Sequence, residues 1–89
     1  ESETLSPVEA LAGLLVDFGE RYGYAGDDGI ELPIRLTQGE LAGMLGCTKA
    51  TIVDALDTLQ KRGLLTVYGL HMVIHDLEAL RTVGAEPAN

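Results

Sequence analysis

The stretch over residues 37–62, TQGELAGMLGCTKATIVDALDTLQKR, constrains this chain more than any other. Thr37 and Glu40 stand at the S/T-x-x-E spacing of a capping box, which predicts a helix starting at Thr37. Leu41, Met44 and Leu45 then fall on one helical face. Gly46 supplies the left-handed backbone that stops a helix at low cost. Thr48 is placed to cap a second helix, in which Ile52, Ala55, Leu56 and Leu59 repeat the apolar spacing. Gly63 closes it after Lys61 and Arg62, two cations set against the negative end of the helix. Two short helices joined by a tight turn at Gly46 and Cys47 have the spacing of a helix-turn-helix.

The flanks supply what such a pair needs to fold. Ser6, Pro7 and Glu9 form a strong helix start, and Val8, Leu11, Leu15 and Phe18 make an apolar stripe running to about Tyr22. Residues 23–29, GYAGDDG, read as a loop, and their two aspartates lack the ligand series of a calcium site. Residues 30–36 alternate apolar and polar apart from Pro33. That predicts a short strand at a sheet edge, or one of limited pairing. LLTVY and HMVIH around Gly69 and Leu70 predict a hairpin. Asp76 then caps a last helix reaching about Val83, with Leu77 and Leu80 facing inward. The expected fold class is therefore α+β, a winged helix-turn-helix. It has a three-helix core, a β-hairpin wing over residues 64–75 and a short C-terminal helix. The folded domain is expected over residues 6–83, between a disordered tail at 1–5 and a frayed one at 84–89.

Charge bears on what the domain meets. The net charge is −8, unevenly spread: −6 over residues 1–35, zero over 36–66 and −2 over 67–89. The helix-turn-helix is thus neutral within an acidic chain, where a nucleic-acid-binding surface normally carries a basic footprint. At 89 residues the chain is one small domain, and its single cysteine excludes an internal disulfide and fits a reducing, cytoplasmic setting. No apolar run approaches the ~18 residues of a membrane span. A start at Glu1, without Met or a signal pattern, reads as a piece excised from a longer protein.

Several pieces together resemble the C-terminal domain of Crp/Fnr transcription regulators. They are L-T-Q-x-E-L-A at 36–42, L-G-C-T at 45–48, T-[IV]-x-x-A-L at 51–56, G-L-L at 63–65 and D-x-x-A-L at 76–80. The resemblance covers about residues 6–83 and implies a DNA-binding domain whose second helix, about 48–62, enters the major groove. It also implies a homodimer in the full-length protein, built through parts outside this chain, and a two-fold-symmetric DNA site. The family's recognition helix typically offers Arg after the cap, then Glu, then a second Arg four residues on. Here those positions hold Lys49, Ala50 and Asp54.

The expected DNA-binding residues are Lys49, Ala50, Val53 and Asp54 toward the bases, with Gln38, Thr48 and Thr51 on the backbone. Two of them have a plainer reading beside them. Lys49 is equally an ordinary solvated lysine, and Thr48, like Thr37, is equally a cap. Gln38 has no structural duty visible in the sequence. The outward face carries one cation and two anions, Asp54 and Asp57, and Asp57 is placed to pair with Lys61. The wing has no Lys or Arg. From this acidity comes a second reading: a degenerate winged helix serving as a protein-interaction or dimerisation module, with a patch such as Val53, Tyr68 and Leu70 meeting a partner protein. His71 and His75 lie ~13 Å apart if on a strand, too far for one metal ion, and Cys47 has no base near it in sequence. No metal, no cofactor, no membrane and no enzymatic activity are expected.

Overall fold

A computed structural model describes residues 6–33 and 35–85. Residues 1–5, Ile34 and residues 86–89 lie outside the described residues, and with them the expected N-terminal tail and most of the C-terminal one. Helix α1, Pro7–Tyr22, opens with a complete capping box: the Ser6 hydroxyl accepts from the Glu9 N–H, and the Glu9 carboxylate accepts from the Ser6 N–H. Two short strands follow, β1 (Tyr24–Ala25) and β2 (Ile30–Leu32), then helices α2 (Gln38–Leu45) and α3 (Lys49–Lys61). The hairpin β3 (Leu65–Tyr68) and β4 (His71–Ile74) leads into α4, Leu77–Ala85. The Asp76 carboxylate accepts from the Ala79 N–H at 3.0 Å, capping α4 as expected.

Both glycines that end the paired helices do so by the same device. Gly46 (φ 71°) and Gly63 (φ 75°) take the left-handed conformation, which a Cβ makes costly. The next residue's N–H then reaches back to a free carbonyl, Cys47 to Ala42 and Leu64 to Leu59. These bonds satisfy acceptors that the helix end would otherwise leave open. In the wing turn, Gly69 carries the one positive φ (66°) of the central pair, the Gly-first pattern of a tight hairpin.

The structure corrects three sequence expectations in whole or in part. All pairings are antiparallel, in the order β1-β2-β4-β3. Strand β2 is therefore interior, so of the two expectations for Pro33 the edge position fails and the limited pairing holds. Pro33 acts by ending it at Leu32 before the missing N–H can break a ladder. Second, the GYAGDDG segment is not wholly loop, since Tyr24 and Ala25 pair with Glu31 and Ile30. Third, α4 does not stop at Val83 but continues through Gly84 to Ala85.

The core is built from every layer. Leu11 and Leu15 of α1, Leu41 of α2, Ile52 and Leu59 of α3, and Leu80 of α4 are at most 1% exposed. Leu65 and Ile74 close it from the wing side. Arg81 ties α4 to α1 through an ion pair with Glu20, and its hydrogen bond to that carboxylate raises its pKa.

Candidate nucleic-acid interface

The surface of interest begins with the two helix starts that the caps hold in place. At α2 the Thr37 hydroxyl accepts from the Glu40 N–H (3.0 Å), and the Glu40 carboxylate accepts from the Thr37 N–H (2.8 Å). At α3 the Thr48 hydroxyl accepts from the Thr51 N–H at 3.1 Å, and the two threonine hydroxyls share a 2.9 Å hydrogen bond. The 3.6-residue period then divides α3 sharply. Ile52, Ala55, Leu56 and Leu59 are at most 2% exposed, while Lys49, Ala50, Val53, Asp54 and Asp57 all face solvent.

The structure distributes the seven expected residues over three places. Gln38, half-buried, and Lys49 line one cleft of about 450 Å³ between the start of α2, the start of α3 and the wing. Ala50, Val53 and Asp54 stand on the outward ridge of α3. Thr51 turns sideways: it is half-buried and lines a groove with Pro7 and Val8 at the start of α1, a groove that Asp54 borders. Thr48 sits exposed between these places as the cap.

Sequence reasoning named Leu70 only in a partner-facing patch and did not place the wing's Val67, Gly69 and Leu70 in this cleft. What brings the wing there is a side-chain clamp. The Gln60 carbonyl oxygen accepts from the Val67 N–H at 3.2 Å, pinning β3 to the last turn of α3. Two histidines hold the other strand. Glu31 accepts from His71 Nε2–H at 3.0 Å, linking β4 to β2. The Asp28 carbonyl accepts from His75 Nδ1–H at 2.8 Å, and the ring's Nε2 meets the Thr66 hydroxyl at 2.6 Å. His71 and His75 thus have separate partners, His71 on β2 and His75 on β3 and the bend before β2. Among the described residues no three His, Cys, Asp or Glu side chains are grouped to hold a metal.

Charge on this surface is sparser than the sequence total implies. Asp57 pairs with Lys61 at 3.0 Å, the i,i+4 bridge expected from the sequence. Among the described residues Asp54 makes no ion pair, and neither do Lys49, Arg35 and Arg62. The ridge therefore presents one unpaired cation at the N-terminal end of α3 and one unpaired anion a turn further on. No helix among the described residues is long and apolar enough to cross a membrane.

A capped helix pair with a tight glycine turn, backed by a third helix and flanked by an anchored hairpin, is a winged helix-turn-helix. Residues 9–83 match the Crp-like helix-turn-helix domain, and the chain belongs to that family. It is the DNA-binding domain of a transcription regulator. Among similar proteins, the anaerobic regulatory protein of Pasteurella multocida is 36% identical over 72 residues, which are 81% of this chain and 26% of that protein. The fumarate and nitrate reduction regulatory protein of Salmonella typhimurium is 30% identical over 81 residues, 91% of this chain and 32% of the other. The CO-dependent transcription factor CooA from Carboxydothermus hydrogenoformans, in its imidazole-bound form, superimposes with a TM-score of 0.82 at 30% identity. That match covers 88% of this chain and 36% of CooA. The chain thus spans about a quarter to a third of the length of its curated relatives. None of these comparisons favours the reading as a degenerate interaction module.

Proposed function

We propose that α3 enters the major groove of double-stranded DNA, N-terminal end first. Lys49, Ala50, Val53 and Asp54 face the bases, and Gln38, Thr48 and Thr51 lie along the backbone. The observation that carries this reading is the division of α3 into a buried face and an exposed one, with Lys49 at its leading end making no ion pair among the described residues. Helix N-termini bearing hydroxyls suit phosphate contact, and the starts of α2 and α3 open onto the same surface. The cleft between α2, α3 and the wing gives a phosphate strand a path past Gln38 and Lys49. The working protein is a homodimer, joined through parts outside this chain, that acts on a two-fold-symmetric site in the cytoplasm. It is not an enzyme.

The test is an NMR titration of the labelled chain with a mixed-sequence duplex at ~20 mM salt, where electrostatic binding is strongest. Shifts centred on Gln38 and on residues 48–54, fading as salt is raised, are the expected result. Shifts confined to other surfaces, or none at low salt, overturn the reading.

A further inference from the structure

The outward ridge of α3 carries few groups able to tell one base from another. Ala50 and Val53 offer no hydrogen bond, Asp57 is held by Lys61, and Thr51 is bonded sideways to Thr48. Lys49 flanks the ridge beside the wing. That leaves Asp54, exposed and with its carboxylate unpartnered among the described residues; only its backbone carbonyl is used, accepting from the Thr58 hydroxyl at 3.0 Å.

A carboxylate in the major groove is a strict reader. It accepts hydrogen bonds and donates none, and every base edge but one presents it with an acceptor. Guanine shows N7 and O6, adenine shows N7 beside its amino group, and thymine shows O4. Cytosine alone shows only a donor, its N4 amino group. Opposite any other base the carboxylate meets a lone pair in addition to the phosphate field, with no cation on α3 beside it to offset either. We infer that Asp54 makes cytosine a requirement of the half-site, selecting chiefly by exclusion of the other three bases. This rests on the proposed entry of α3 into the groove and adds to it the base that the entry must find. Residues 49 to 54 advance ~7.5 Å along the helix axis. The cytosine therefore lies within a few base pairs of whatever Lys49 touches.

The test is selection from a duplex library with a short randomised segment at ~20 mM salt, using this chain and its D54N and D54A variants. Asp54 is exposed, so the variants keep the fold, which circular dichroism verifies. The unmodified chain is expected to enrich cytosine at one position by about fivefold or more, the low end of what one good base contact discriminates. D54N moves the preference at that position to adenine, whose N6 and N7 match an amide. D54A abolishes the preference there and leaves the neighbouring positions as they were. A flat base distribution at every position despite binding overturns the inference while leaving groove entry standing. So does a cytosine preference that persists in D54A. No retention of any duplex by the unmodified chain removes groove entry itself, and this inference with it.

Discussion

Where α1 packs against α4, buried leucines from both helices meet. Leu11, Leu15 and Leu80 have essentially no contact with solvent, and the two helices approach so closely that a Cβ on Gly84 would lie 2.7 Å from the Gly13 backbone nitrogen. On the outward ridge of α3, by contrast, Ala50, Val53 and Asp54 are exposed, and Asp54 only borders a groove beside the start of α1. The first region is built under the constraint of close packing, in which a single methylene is felt. The second is constrained only by what it must meet outside the chain. An acidic residue at position 54 is therefore no defect of the fold, because the exposed side chain is not needed to fill the core.

If the contrast holds, substitutions in the first region act on stability alone and by large amounts. Leu15→Ala removes a fully buried side chain from the centre of the core and should cost ~2–5 kcal/mol. For a domain this small that is a large part of its total stability, and urea denaturation followed by circular dichroism measures it. Gly84→Ala is expected to come next. The gain in helix propensity is outweighed by the push against backbone atoms of α1, which have nowhere to move, for a net cost of about 1–3 kcal/mol. Gly43→Ala is its control. That glycine is also helical but has nothing within 4 Å of a would-be Cβ, so alanine there should stabilise by about 0.5–1 kcal/mol. Equal effects at the two glycines would show that the α1–α4 contact is looser than the geometry indicates.

Lys49→Ala tests the other side of the comparison. It should leave stability within ~0.5 kcal/mol yet weaken duplex binding and, because a lysine at the leading turn that faces the bases also lies within the field of the flanking phosphates, reduce the slope of log affinity against log salt by about one. Fluorescence anisotropy over a salt series gives both numbers. A stability loss matching that of a core substitution would mean that the start of α3 belongs to the packed region after all.

How far each region was legible in the sequence follows from the range of the interactions that make it. The caps at Ser6, Thr37, Thr48 and Asp76 are contacts over three residues, and the spacing alone specifies them. The division of α3 into two faces is likewise a local consequence of its period. What the sequence did not disclose is set at long range. Strand β1 exists because β2 is already held by β4, about 40 residues later in the chain. Gly84, expected to lie in a tail, is instead helical and in close contact with the α1 backbone at Gly13. Thr51, which we propose lies along the DNA backbone, also borders a groove with Pro7 and Val8 of α1, a neighbourhood that no local spacing discloses. The wing's place beside Lys49 depends on Gln60, a surface glutamine in any helical reading, whose reach to the Val67 N–H becomes visible only once β3 has turned back along α3.

The smallest expected effect sharpens the comparison within α3 itself. Lys61 and Asp57 form an exposed i,i+4 pair at the C-terminal end of the ridge. Such a pair contributes about 0.3–0.5 kcal/mol, because both ions stay hydrated and salt screens them. Lys61→Ala should therefore destabilise the domain by no more than that. Its effect on DNA separates two ways of entering the groove. A helix that enters by its N-terminal end leaves Lys61 some three turns, ~18 Å, behind Lys49, well beyond a Debye length of about 8 Å at physiological salt. The salt slope then stays as it was, whereas Lys49→Ala lowers it. A helix lying flat along the groove would bring both lysines to phosphates, and the two substitutions would lower the slope alike. Measured side by side on one duplex, the two slopes decide whether only the leading turn of the exposed face reads DNA.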